Sequence, residues 1–260
     1  MNKTNKIIKN TYFILIILFI YIPIISMIVF SFNSSRSLTT WTGFSFEWYQ
    51  KLFEDSDIIE AVLNTFMIAI ISTVISTIIG TLAAISLSKN KKVFRETILG
   101  LSNIPILSPE IVTAIAFFVF FGAFAIQKGM LTLILAHIAF STPYVILAVY
   151  PKVRSLDPDL VSAAYDLGAT PRQALFKVIL PQISVSIFAG AAIAFAMSFD
   201  DFVISYFASG GMVKNISIYL YTLKRGIEPT VNALTTIIMI VIIVKVVFDY
   251  IRSKKRKDEE

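Results

Sequence analysis

From Phe13 to Phe32 the chain runs for twenty residues without a charged side chain. A helix rises ~1.5 Å per residue, so such a stretch crosses the ~30 Å hydrocarbon core of a bilayer, whereas barrel strands are ~9–11 residues of alternating polarity. Similar segments recur, and six helical spans are expected at about 11–32, 62–88, 98–125, 130–151, 183–207 and 233–251. Of the 260 residues, 56% are hydrophobic and 15% charged; in soluble domains about a quarter are charged. The expected fold class is all-α, a polytopic membrane protein with a single transmembrane domain over 1–260.

The first span follows Lys3, Lys6 and Lys9. It is too long for the ~7–15-residue core of a signal peptide and no small-residue cleavage pattern follows, so it is read as retained. With a cytoplasmic N-terminus, sixteen Lys and Arg fall in inside segments, including Lys89–Arg95 and Arg252–Lys257, against six outside: Arg36, Lys51, Lys128, Lys214, Lys224 and Arg225. That asymmetry places both termini in the cytoplasm. The net charge of +6 is then mainly a topology signal, and no nucleic-acid partner is expected. There is no cysteine, which excludes disulfides and thiolate chemistry.

The inside loop 152–182 is built from helix punctuation. Asp157 is placed to cap a helix with Pro158 at its first position and Asp159 in its first turn. Gly168 can end that helix in a left-handed conformation. Thr170 with Gln173 forms a capping box, Pro171 starts the second helix, and Pro181 marks the next break. Leu160, Ala163, Ala164 and Leu167 give the first helix a narrow apolar stripe, which could pack on the protein itself or receive a partner.

The pattern Ser162-Ala163-Ala164, Gly168, Val178, Leu180-Pro181 resembles the EAA loop of permease subunits of ABC importers, with Ser162 where the family often has Glu and Val178 for Ile. The resemblance implies a type I ABC importer permease fold, in which Asp159, Ser162, Ala163, Ala164, Gly168, Leu180 and Pro181 couple to a cytoplasmic ATPase. It also implies a second permease subunit, of the same or a different polypeptide, two ATPase subunits and an external binding protein. No Gly-x-x-x-x-Gly-Lys-Ser/Thr pattern occurs, so the chain is expected to have no catalytic site or cofactor of its own, with ATP and Mg on the partner ATPase.

Ionisable residues inside a span cost ~2.5–3.5 kcal/mol or more each and mark pathways or partners. Glu110 lies in the third span beside Pro105 and Pro109, and Asp200 and Asp201 in the outer half of the fifth. No Lys or Arg is expected at their depth; Lys245 is placed to pair with Asp249 one turn away or to snorkel. Unbalanced carboxylates suit a cationic substrate. Adjacent Asp200 and Asp201 point ~100° apart, so one is expected to face the pathway and the other to bond sideways. In the first outside loop Trp48 and Tyr49 either form an interfacial belt or stack on amines. His137 is the only histidine and reads as a helix–helix hydrogen-bonding residue, not a metal ligand. Asn33-Ser34-Ser35 fits a glycosylation pattern without a context that supports its use.

Phe46–Phe53, Gly80–Ala84, Pro109–Val112, Ser198-Phe-Asp-Asp-Phe-Val203 and Glu228–Ala233 narrow the resemblance to the spermidine/putrescine permeases, over nearly the whole chain. It implies an importer of polyamines in the bacterial cytoplasmic membrane, with Glu110, Ser198, Asp200, Asp201 and Trp48 along the substrate pathway. Alternatives are an ABC permease for ferric iron or an amino acid, and a proton-coupled secondary carrier.

Overall fold

The structure is a computed structural model that describes residues 3–223 and 228–258. The all-α membrane architecture expected from the sequence is present: five helices are long and apolar enough to cross a bilayer, and a bent pair makes a sixth span if counted as one. The only β pairing among the described residues is an isolated bridge between Asn33 and Phe44. Lys224 and Arg225 lie outside the described residues, as do the side chains of Lys254–Lys257 and of Asp249, the expected partner of the exposed Lys245.

Two compact units divide the chain, 1–59 with 222–260 and 60–221. In the first, α1 (Lys3–Phe30) and α2 (Glu47–Glu54) both pack on α12 (Pro229–Asp258). Between α1 and α2 the chain is organised by Asn33, which is fully buried. Its Nδ2 donates to the carbonyls of Ser37 and Thr40, each at 2.9 Å, and its Oδ1 accepts from the Thr42 N–H at 2.8 Å. The glycosylation motif is thus a loop-closing side chain with no free amide. Trp48 is also buried, its Nε1 donating to the Asn33 carbonyl at 2.6 Å, and Lys51 Nζ stands 4.6 Å from its ring centroid. Trp48→Phe leaves that carbonyl buried without its donor, which costs about 1–3 kcal/mol; faster proteolysis of the 33–46 loop is the expected readout.

In the second unit α6 (Met130–Arg154) is the central helix. It shares one apolar cluster with α3 (Ser56–Lys89), α5 (Glu110–Ala123) and α10 (Val203–Ser209), and a second with α3 and α9 (Leu180–Phe199). Val145 on α6 is fully buried. A Cβ added at Gly80 of α3 would lie 2.7 Å from its Cβ, and one at Gly190 of α9 would lie 3.3 Å from its Cα. Two glycines therefore let three helix backbones close on one valine.

Two spans differ from their expected course. The third is broken into α4 (Lys92–Leu107) and α5, bent by 107°. Pro109 cannot donate to the helix and holds Ser108 extended, at ψ 143°, as the residue before a proline prefers. The fifth stops at Phe199 instead of running to 207, and Asp200-Asp201-Phe202 form a break before α10. There the Asp201 carboxylate accepts from the N–H groups of Ile204 and Ser205, at 3.2 and 2.6 Å, satisfying donors that a new helix start leaves free.

The cytoplasmic element forms as its punctuation requires. Asp157 accepts from the Asp159 N–H at the start of α7 (Pro158–Asp166). At its end Gly168 has φ +80°, with Ala169 N–H bonded to Ala164 O and Gly168 N–H to Tyr165 O, a Schellman turn. Thr170 and Gln173 make the reciprocal capping box of α8 (Pro171–Ala174). Pro181, however, does not break the chain: a π turn over Leu175–Ile179 leads directly into α9, and Leu180 N–H bonds five residues back to Leu175 O. The wider turn absorbs the missing donor and ring of the proline.

Candidate functional site: a buried polar centre in the second unit

Ser198, Asp201 and His137 converge in the interior of the second unit. His137 on α6 is fully buried. Its Nδ1 lies 2.7 Å from Ser198 Oγ on α9, and its Nε2 lies 3.0 Å from Ser205 Oγ on α10 and 3.3 Å from Asp201 Oδ2. Ser198 Oγ is in turn 3.0 Å from Ser72 Oγ on α3. Asn215, at the start of α11 (Ile216–Thr222), donates to Ser205 Oγ at 2.9 Å and to the Asp201 carbonyl at 3.2 Å, and accepts from Ile218 N–H. One polar network thus joins α3, α6, α9, α10 and α11, and the helix–helix role expected of His137 is what the geometry shows.

Proton bookkeeping limits what this network can be. An ionised Asp201 only accepts, so Nε2 carries a hydrogen. Ser72 Oγ also lies 2.6 Å from Ile68 O. If Ser72 donates there, Ser198 donates to Ser72, and Nδ1 must donate to Ser198, which makes the ring an imidazolium. If Ser72 donates to Ser198, Ser198 donates to Nδ1 and the ring is neutral. Two complete hydrogen-bond arrangements therefore differ by one proton.

The two aspartates have separated roles. Asp201 is 3% exposed, whereas Asp200 is open to the surroundings. Asp200 caps the C-terminal end of α9, where helix carbonyls add to its negative charge and favour a cation. Glu110, the first residue of α5, is exposed, and its carboxyl lies beside that of Asp201. Among the described residues no Lys or Arg pairs with these acids.

The structure brings Glu110, Ser198, Asp200 and Asp201 together. Trp48 belongs to the other unit and is itself buried, with its N–H and a ring face engaged. Of the expected coupling residues, Asp159, Ser162, Ala163 and Gly168 are exposed and Ala164 is half-buried. Leu180 packs inward against the second apolar cluster, and Pro181 is exposed on α9. No residue of α7 is fully buried, and Leu167 is 89% exposed. Ser72, Ser205 and Asn215 were not marked by the sequence, since serines and asparagines carry no spacing rule that links distant helices.

Residues 76–257 match the family described as binding-protein-dependent transport system inner membrane component. The chain belongs to that family. This inner membrane component is 33% identical to the spermidine/putrescine transport system permease protein of Haemophilus influenzae, over 95% of this chain and 96% of the relative. It is 34% identical to its counterpart in Escherichia coli, over 94% and 92%. With the putrescine transport system permease protein of Escherichia coli it shares 34% identity over 85% and 82%. Its fold is shared with a bacterial ABC transporter involved in the import of the acidic polysaccharide alginate, at TM-score 0.70 and 15% identity, over 97% of this chain and 98% of that one. The chain is therefore a multi-span transport component, not an enzyme.

Proposed function

We propose that this chain is the permease subunit through which an ATP-driven importer carries polyamines inward across the cytoplasmic membrane, with both termini on the cytoplasmic side. The observation that carries this is the cluster of Glu110, Asp200 and Asp201 at two adjacent helix breaks, without a lysine or arginine partner among the described residues. The polyamine transport named for the relatives supports the same cargo class. A cargo with two or more ammonium groups on an apolar chain meets carboxylates and aromatic walls here with favourable charge and little polar desolvation.

In this reading the exposed stripe of α7 docks on a cytoplasmic ATPase that holds ATP and Mg. A second permease and an external binding protein complete the importer. Closure of the ATPases moves α7, and the π turn passes that movement into α9. Asp200 and Glu110 attract the cation, while Asp201, held by His137 and two backbone amides, fixes the shape of the break.

Reconstitution with its partner subunits in proteoliposomes tests the reading: ATP-dependent uptake of labelled putrescine or spermidine is expected, with neither ferric iron nor amino acids competing. Asp200→Asn should lower kcat/KM about tenfold, the scale of one charged hydrogen bond, with an unchanged melting curve. An intact complex that takes up no polyamine overturns the proposal.

A further inference from the structure

At the break between α4 and α5 lies a cavity of about 180 Å³ walled by Pro105, Ile106, Glu110, Phe140, Tyr144 and Met197. It is smaller than the ~300–1,000 Å³ of pockets that enclose a whole drug-sized ligand, so it suits one end of an extended molecule. Among the described residues Glu110 is the one charged group on its wall. The Tyr144 phenol lies within electrostatic reach of that carboxyl, and Phe140 offers a ring that is otherwise 97% buried in the first apolar cluster, being 3% exposed. The remaining wall is proline, isoleucine and methionine carbon, with Ser108 and Thr113 as its other polar residues.

We infer that this cavity receives one terminal primary ammonium group of the cargo with its adjoining methylenes, and that Tyr144 sets the preference for a primary over an N-alkylated amine. The inference rests on the polyamine reading above. A primary ammonium carries three N–H donors. Glu110 takes the charge, the Tyr144 oxygen accepts a second N–H, and the apolar wall covers the methylenes. An N-alkylated end has fewer donors to offer Tyr144 and more volume to place against Phe140. Asp201 stands beside Glu110 and is itself held by His137 and two backbone amides.

Equilibrium binding of labelled putrescine and of N,N,N′,N′-tetramethylputrescine to the assembled importer in nanodiscs tests this, with the external binding protein left out so that only membrane sites are read. The wild type is expected to bind putrescine at least tenfold more tightly. Tyr144→Phe should raise the Kd for putrescine about tenfold, the scale of a charge-assisted hydrogen bond, and leave the tetramethyl compound unchanged. Tyr144→Ala should admit the tetramethyl compound, and Glu110→Gln should weaken both. Equal affinities in the wild type, or a preference that survives both Tyr144 substitutions, overturns the inference while polyamine uptake stands. Binding of neither amine, together with absent uptake, overturns the polyamine reading as well.

Discussion

With His137 replaced by Leu, the second unit is expected to lose about 3 kcal/mol of stability and the importer its uptake. Interhelical hydrogen bonds in membrane proteins average only ~0.6 kcal/mol each, so lost bonds to Ser198 and Ser205 alone would make a small effect. The larger contribution comes from Asp201, which is 3% exposed and, when ionised, has the imidazole as its neighbour at 3.3 Å. Removing one partner of a buried pair costs ~3–5 kcal/mol because the other charge stays behind. Asp201 retains the Ile204 and Ser205 amides, which puts the expected value at the low end. His137→Gln keeps a side-chain donor and should recover part of the loss. Thermal unfolding of the purified subunit in detergent reads the difference, and a wild-type melting curve for His137→Leu would refute the account.

Gly80→Val is the second large effect. A Cβ at position 80 already stands 2.7 Å from both Val145 Cβ and Cγ1 and 3.2 Å from Thr142 O. Val145 has little room to withdraw, because it is fully buried and packed in the cluster it shares with α9. Overpacking costs ~1–3 kcal/mol where neighbours can shift; here the obstacles include backbone on a helix pinned between two others, so the upper end or more is expected, with separation of α3 from α6. Gly80→Ala should fall between wild type and Gly80→Val in a melting series. A flat series would show that the helices are not in close approach at this point.

What could be read from sequence followed the range of the interaction. Asp157, Gly168, Thr170 and Gln173 act on backbone groups within five residues, so their types and spacing were enough to define α7 and α8. The carboxylates were visible because charge is rare in spans. Their division of labour was not: His137 meets Ser198 and Ser205 across 61 and 68 residues, and no periodicity connects residues so far apart. The proline at 109 was visible too, yet a proline permits a kink, a break or an unbroken helix depending on its surroundings. Pro109 bends the chain by 107°, while Pro181 passes without a break behind its π turn. Trp48 looked like a surface aromatic because the burial of its loop depends on Asn33, whose bonds close a turn of nine residues.

The π turn at Leu175–Ile179 stores one residue of slack between α8 and α9. Were it to relax to α geometry, everything beyond it would screw forward by one residue, ~100° of rotation and ~1.5 Å of travel. Ser198 and Asp200 ride at the other end of that same rod. On the function proposed above, a push on α7 would need no hinge and no bending helix to be felt at Asp200: the rod would be geared, turning a short linear stroke at one end into a re-aimed charge at the other.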